Sequence, residues 1–183
     1  EKLGLPFVLQ FGHGFAGTST FLVKNKQDFA DLVEQNQNKK AKITKYIEGI
    51  PLTINSCITK KGVLLSPFCY QITGYRQYTT SWGGTCGTTW QFPAIPLETE
   101  KKMYNLTTKI GRLMASKGFK GIFGLDFLVV KDFEKIYVIE DNARMVASIR
   151  MFTEMQLLEK QIPFFLFHLL ELSNADYDFD FEL

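Results

Sequence analysis

An α+β protein of two lobes, each an antiparallel sheet with flanking helices, is the architecture this sequence predicts. Three observations lead to it. A strand, a glycine cluster and a second strand follow one another in "PFVLQFGHGFAGTSTFLV", Pro6 to Val23. The composition shifts once, near Lys45–Gly49, from a small β-β-α-β unit to a larger run of strands and helices. Late in the chain two almost wholly apolar segments, "GLDFLVV" and "IYVIEDN", each carry an acid. The expected division is a small glycine-flap lobe over 1–45 and a larger lobe over 46–183.

Each element has its own warrant. "LPFVLQF" and "TSTFLV" are rich in β-branched and aromatic residues and read as strands. Gly12, Gly14 and Gly17 between them spell G-x-G-x-x-G. A dinucleotide fingerprint of that spacing opens a helix; here a strand follows, so the glycines form the tip of a hairpin flap. "KQDFADLVEQ" places Phe29, Leu32 and Val33 on one helical face. "AKITKYI" is a strand ended by Gly49, and residues 52–74 form a hairpin turning at Lys60-Lys61-Gly62. Tyr75 to Pro96 reads as a polar, glycine-bearing loop containing Arg76, Trp82, Cys86 and Trp90. A long amphipathic helix from Leu97 is closed by Gly118. After the two apolar strands comes a C-terminal helix with Pro163 as a kink. The tail "DYDFDFEL" is an edge strand or a solvated end.

Composition narrows the function. In 183 residues, 45% hydrophobic and 22% charged, the balance is that of a globular domain. A net charge of +2 gives no footprint for nucleic acid or an anionic membrane, and the short cluster Lys39-Lys40-Ala41-Lys42 reads as a solvated loop. The most apolar run, Ile162 to Leu172, is too short to span a bilayer. Three cysteines without a C-x-x-C fit a reducing compartment, and the expected location is cytoplasmic. Cys86 lacks a His-plus-orienter set and is a poor nucleophile candidate. The chain opens on Glu1 and runs straight into a strand, which reads as a piece of a longer protein.

The acids carry the chemistry. A tight hairpin centred on Phe133 would set Asp126 opposite Glu140, with Asn142 on the same face. Two facing carboxylates repel, and burial raises the cost. With an amide oxygen beside them they form an all-oxygen set for Mg²⁺ or Mn²⁺ shared with substrate phosphates. Two other arrangements stay open: each acid paired with a Lys or Arg, or a carboxylate pair for acid–base chemistry. The second leaves the flap and Asn142 without a role. A protein kinase is excluded because neither an H-R-D-type loop nor D-F-G is present.

Taken together, "LGLPFVLQ", "GHGFAGTST", "KYIEG" and "GLDFLVV…YVIEDNARMVAS" resemble the ATP-grasp superfamily, nearest its biotin carboxylase and carbamoyl-phosphate synthetase branch. The resemblance implies an ATP-grasp fold whose two lobes grip ATP. Gln10, Gly12, Gly14, Gly17 and Thr18 would lie along the nucleotide's phosphates, and Lys45, Tyr46 and Ile47 along adenine. Asp126, Glu140 and Asn142 would ligate Mg²⁺, and Arg144 would be the catalytic cation steadying an acyl phosphate or carboxylate. Ser148 would add a hydroxyl or cap the following helix. The implied activity is a ligase that turns a small-molecule carboxylate into an acyl phosphate for attack by an amine or similar nucleophile. An N-terminal domain of the same protein would be a further partner. Three departures favour a rival reading, a non-catalytic nucleotide-binding or assembly module. Gln10 stands where the family usually has a lysine, Thr44 where many members have Glu, and Pro51 near the usual ribose-binding Glu. His13 at the flap tip would be an exposed histidine without a chemical role.

Overall fold

The computed structural model describes residues 3–12, 17–92, 94–130 and 132–178. Gly14 and His13 fall outside these, as does the end of the acidic tail. The described residues form eight strands and four helices. They are β1 (Phe7–Phe11), β2 (Thr20–Val23), α1 (Lys26–Gln35), β3 (Ala41–Lys45), β4 (Gly49–Thr59), β5 (Gly62–Thr73), β6 (Thr85–Thr89), α2 (Leu97–Ser116), β7 (Gly121–Val130), β8 (Ile136–Asn142), α3 (Ser148–Leu158) and α4 (Phe164–Leu172). One sheet has the order β2-β1-β3 and the other β6-β5-β4-β7-β8. The class is α+β, as the sequence predicts.

The chain divides into two compact units: Glu1–Gly49 with Gln71–Thr89, and Ile50–Tyr70 with Trp90–Leu183. The first is therefore not a simple N-terminal segment ending at residue 45. A stretch read from sequence as loop returns to it and contains the strand β6. Its threonines, in "TCGTT", favour extended backbone, a signal that the surrounding glycines obscure.

In the first unit β1 pairs antiparallel with both neighbours, with Gln10 opposite Thr20 on one side and Lys42 on the other. Phe7, Leu9 and Phe11 alternate to one face. Phe7 meets Phe29 of α1 edge-on at 5.7 Å, and Leu9 and Val23 are buried. The helix begins on a cap: Asn25 Oδ1 accepts from the Asp28 N–H at 2.9 Å, and Asp28 Oδ2 accepts from the Lys24 N–H at 2.9 Å. Phe29 and Val33 stay exposed, so α1 is only lightly packed.

The second unit holds the main core. On one face of the sheet Leu52, Ile54, Phe68, Phe123, Leu125, Phe127 and Val129 pack with Met103 of α2. On the other, Cys57 and Ile122 pack with Ile149 and Phe152 of α3 and with Phe164 and Phe167 of α4. Helix α2 closes as expected at Gly118, whose φ of 89° lets the Phe119 N–H reach the Met114 carbonyl at 3.1 Å. The C-terminal helix is not kinked but split in two. Lys160 turns at φ 56°, and buried Gln156 joins the pieces, donating to the Ile162 carbonyl (3.2 Å) and accepting from the Phe164 N–H (3.0 Å).

The two apolar strands behave differently. β7 is almost entirely buried, whereas β8 is an edge strand with Tyr137, Val138 and Ile139 exposed. Both apolar runs carry the pattern of strands covered on two faces, and for β8 the structure corrects that reading. An apolar run shows that a strand suits burial, not which neighbours the topology supplies.

Candidate functional site

Two constellations emerge, one in each unit. In the second unit Asp126 sits opposite Glu140, with Gly124 opposite Asn142. The reason differs from the simple hairpin anticipated. Near the turn Val129 faces Ile136, Leu128 faces Tyr137 and Phe127 faces Val138, one residue out of that register. A bulge then leaves Ile139 unpaired and brings Glu140 across from Asp126. The turn itself is held by Phe133 N–H to the Val130 carbonyl (2.8 Å), with Phe133 at φ 60°.

From this row a chain of polar contacts runs outward. Asn142, 8% exposed, donates Nδ2–H to Asp126 Oδ2 at 3.2 Å. Its Oδ1 accepts from Arg144 Nη2 at 3.0 Å, while Arg144 Nη1 reaches the Met145 carbonyl at 3.1 Å. The amide's orientation is fixed by its neighbours, since an ionised carboxylate only accepts and a guanidinium only donates. Loop 143–147 closes down on β7 because Gly124 has no side chain. A Cβ there would lie 2.8 Å from Val146 Cγ1.

Behind the carboxylates lies a polar patch the sequence reading missed. Asn55, fully buried in β4, accepts at Oδ1 from Ser148 Oγ (3.0 Å), and its N–H donates to Ser66 Oγ (3.0 Å) where β4 is irregular. Its Nδ2 is buried without a partner. Ser148 therefore neither caps α3 nor faces outward, and α3 has no side-chain cap. Thr53 Oγ1 donates to the Leu125 carbonyl at 3.2 Å. Burial pushes the Cys69 thiol up to about 12, and the Asp126 charge adds to it, so this thiol stays protonated. The signal was present in "LTINSCIT": an Asn and two hydroxyls in the middle of a strand otherwise fit for burial.

Hard oxygen donors and no sulfur or imidazole suit Mg²⁺ or Mn²⁺. Among the described residues no group of three or more His, Cys, Asp or Glu is placed to hold a metal. The set is two carboxylates and one amide, the donor count of a cation completed by phosphate and water. The donors fit, with one condition: the amide oxygen now faces Arg144.

In the first unit the base of the glycine hairpin is built by close approach. Gly17 has φ 78°, and a Cβ on it would lie 2.1 Å from the Gly83 carbonyl oxygen. Gly83 in turn lies over Thr20. Trp82 meets Tyr46 edge-on at 6.0 Å. The loop without an assigned role thus packs on the hairpin and on the segment Lys45, Tyr46, Ile47. Trp90 belongs to the second unit, where it stacks on Phe152 at 6.2 Å. Cys86 Sγ lies 3.7 Å from the Gly84 carbonyl oxygen. Lys42 is no loop residue: it stands in β3 beside Gln10 and is exposed.

A three-stranded sheet carrying a glycine hairpin, and a five-stranded sheet carrying facing carboxylates, define the class. Residues 4–148 match the ATP-grasp domain family, and the chain belongs to it. Among solved structures it is similar to carboxyaminoimidazole ribonucleotide synthase from Aspergillus clavatus complexed with ATP, at 18% identity and TM-score 0.73, over 96% of this chain and 43% of that one. It is also similar to biotin carboxylase from Campylobacter jejuni in a β-γ-ATP complex, at 13% identity and TM-score 0.72, over 96% and 39%. A third is the biotin carboxylase domain of Hydrogenobacter thermophilus 2-oxoglutarate carboxylase with MgADP, ADP and bicarbonate, at 14% identity and TM-score 0.73, over 97% and 38%. The chain spans about two fifths of the length of these proteins. A search of curated proteins by sequence finds no match. No helix among the described residues is long and apolar enough to cross a membrane.

Proposed function

We propose that this chain is the ATP-binding part of a Mg²⁺-dependent ligase that converts a carboxylate into an acyl phosphate, which an amine or similar nucleophile then attacks. The observation that carries the reading is Asp126 opposite Glu140, with Asn142 and Arg144 continuing from the same edge. Without a counter-cation such a pair is repulsive. A divalent cation, when bound, would neutralise charge developing on a transferred phosphoryl group. Asp126, Glu140 and Asn142 are the residues to hold it.

The remaining roles are those the family resemblance implies. Gly12, Gly14, Gly17 and Thr18 offer backbone N–H groups that phosphate oxygens can approach closely. Gln10 adds an amide donor, and Lys45, Tyr46 and Ile47 supply an edge for the base. Arg144 offers a planar fork suited to a carboxylate or acyl phosphate. The three solved relatives hold ATP, a β-γ-ATP ligand or MgADP, and one holds bicarbonate; bicarbonate and small organic acids are accordingly the first substrates to test. A domain N-terminal to this chain would complete the acceptor site, and the cytoplasm would be its compartment.

A second reading, a binding or assembly module without turnover, is favoured by Gln10, which carries no charge where the family resemblance expects a lysine. ADP release decides between them. In the full-length protein, release of ADP from MgATP should require an added carboxylate or bicarbonate and should vanish in Asp126→Asn. ATP binding without ADP release under any acid would favour the module instead.

A further inference from the structure

We infer that Arg144 is gated by the cation: it is parked on the metal-ligating amide and becomes available to an anionic substrate only when a divalent ion takes its place. The inference deepens the proposed function and rests on its cation site.

Asn142 presents Nδ2–H to Asp126 and Oδ1 to Arg144, an orientation its neighbours impose. Oδ1 is the only oxygen Asn142's side chain can lend to a cation. In this structure Arg144 Nη2 occupies it at 3.0 Å. A guanidinium and a divalent cation on one amide oxygen would stand only a few ångströms apart, and their repulsion is strong where water is scarce. Asn142 is buried but Arg144 is exposed, so solvent screens part of that repulsion and the competition rests on the shared oxygen. The two cations therefore compete.

The second contact makes the parked form specific. Arg144 Nη1 bonds the Met145 carbonyl at 3.1 Å, so the fork is folded back on its own loop. That loop is anchored before the arginine by the pairing of Asn142 with Gly124, and after it at two points. Val146 packs on Gly124, and Ser148 donates to buried Asn55. Release of Oδ1 consequently frees the side chain without moving the backbone that carries it. The consequence is an order of events: the cation loads first, and the anionic substrate meets a free guanidinium second. An enzyme so built does not commit Arg144 to a carboxylate before the phosphoryl-transfer cation is in place.

The test uses the metal alone. With ¹⁵N-labelled arginine, the Arg144 guanidinium is assigned by its loss in Arg144→Lys, against Arg76, Arg112 and Arg150. Without cation its Nη groups should be resolved and rotationally restricted; saturating Mg²⁺ should collapse them to the averaged signal of a free side chain. In parallel, Mn²⁺ binding is followed by electron paramagnetic resonance. Arg144→Met should bind Mn²⁺ about tenfold tighter, the lower end for a hydrogen bond to a charged group. Asp126→Asn should abolish binding in both backgrounds.

If Mn²⁺ binds, Asp126→Asn abolishes it, and the Arg144 signals do not respond to Mg²⁺, the gating is wrong while the cation site stands. Tighter binding in Arg144→Met with unresponsive signals has the same meaning, since a distant charge effect would produce it. If neither wild type nor Arg144→Met binds Mn²⁺ at millimolar concentration, the cation site itself fails, and the gating with it.

Discussion

Asn142 shows how much one side chain decides at the scale of the residue. It joins a carboxylate to a guanidinium through opposite ends of one amide, so neither end is free to turn. Gly124, directly across the strand pair, matters for what it lacks. Its Cβ would press into Val146 and lift the loop that carries Arg144. Gly124→Ala should cost about 1–3 kcal/mol of stability, as overpacking does, and urea denaturation measures it. Asn55 is the residue the sequence hid. Its burial is costly and its Nδ2 is unpaired, but a lone Asn in an apolar strand gives no hint of which helix start will meet it.

Elements were legible where their signals were local. Both hairpins, α1, and α2 with its glycine stop follow from spacing and turn residues alone. What was not legible depended on distant partners. β6 hides among glycines, β8 proves to be an exposed edge, and the C-terminal helix divides because Gln156 ties its halves across a break. The facing of Asp126 and Glu140 was anticipated from a turn centred on Phe133. It is reached instead through the bulge at Ile139, which periodicity cannot reveal. Helix α4 is fastened to β7 through His168, whose Nδ1 accepts the Ile122 N–H at 3.0 Å beside Gly121. Burial lowers the pKa of His168 below its ordinary value. The folded state then binds the proton less readily than the unfolded chain. This contribution is present above the unfolded pKa of about 6.5 and is lost as pH falls through the lower folded value. In urea titrations the stability gap between wild type and His168→Asn, whose amide oxygen does not titrate, should narrow on going from pH ~7.5 to ~5.5. A gap independent of pH would mean that the imidazole does not stay neutral in the fold.

For the whole molecule, the family follows from the match over residues 4–148, and the candidate residues fall in both compact units. One offers a glycine hairpin rich in backbone donors, with Tyr46 and Trp82 beside it; the other offers the carboxylates. In the proposed function ATP is held through a cation on Asp126 and Glu140. Calorimetric titration of ATP into the protein, with and without Mg²⁺ and beside Glu140→Gln, tests it most directly. Binding should require Mg²⁺ and be lost in Glu140→Gln. Binding of equal strength without Mg²⁺, or undiminished in Glu140→Gln, would contradict it.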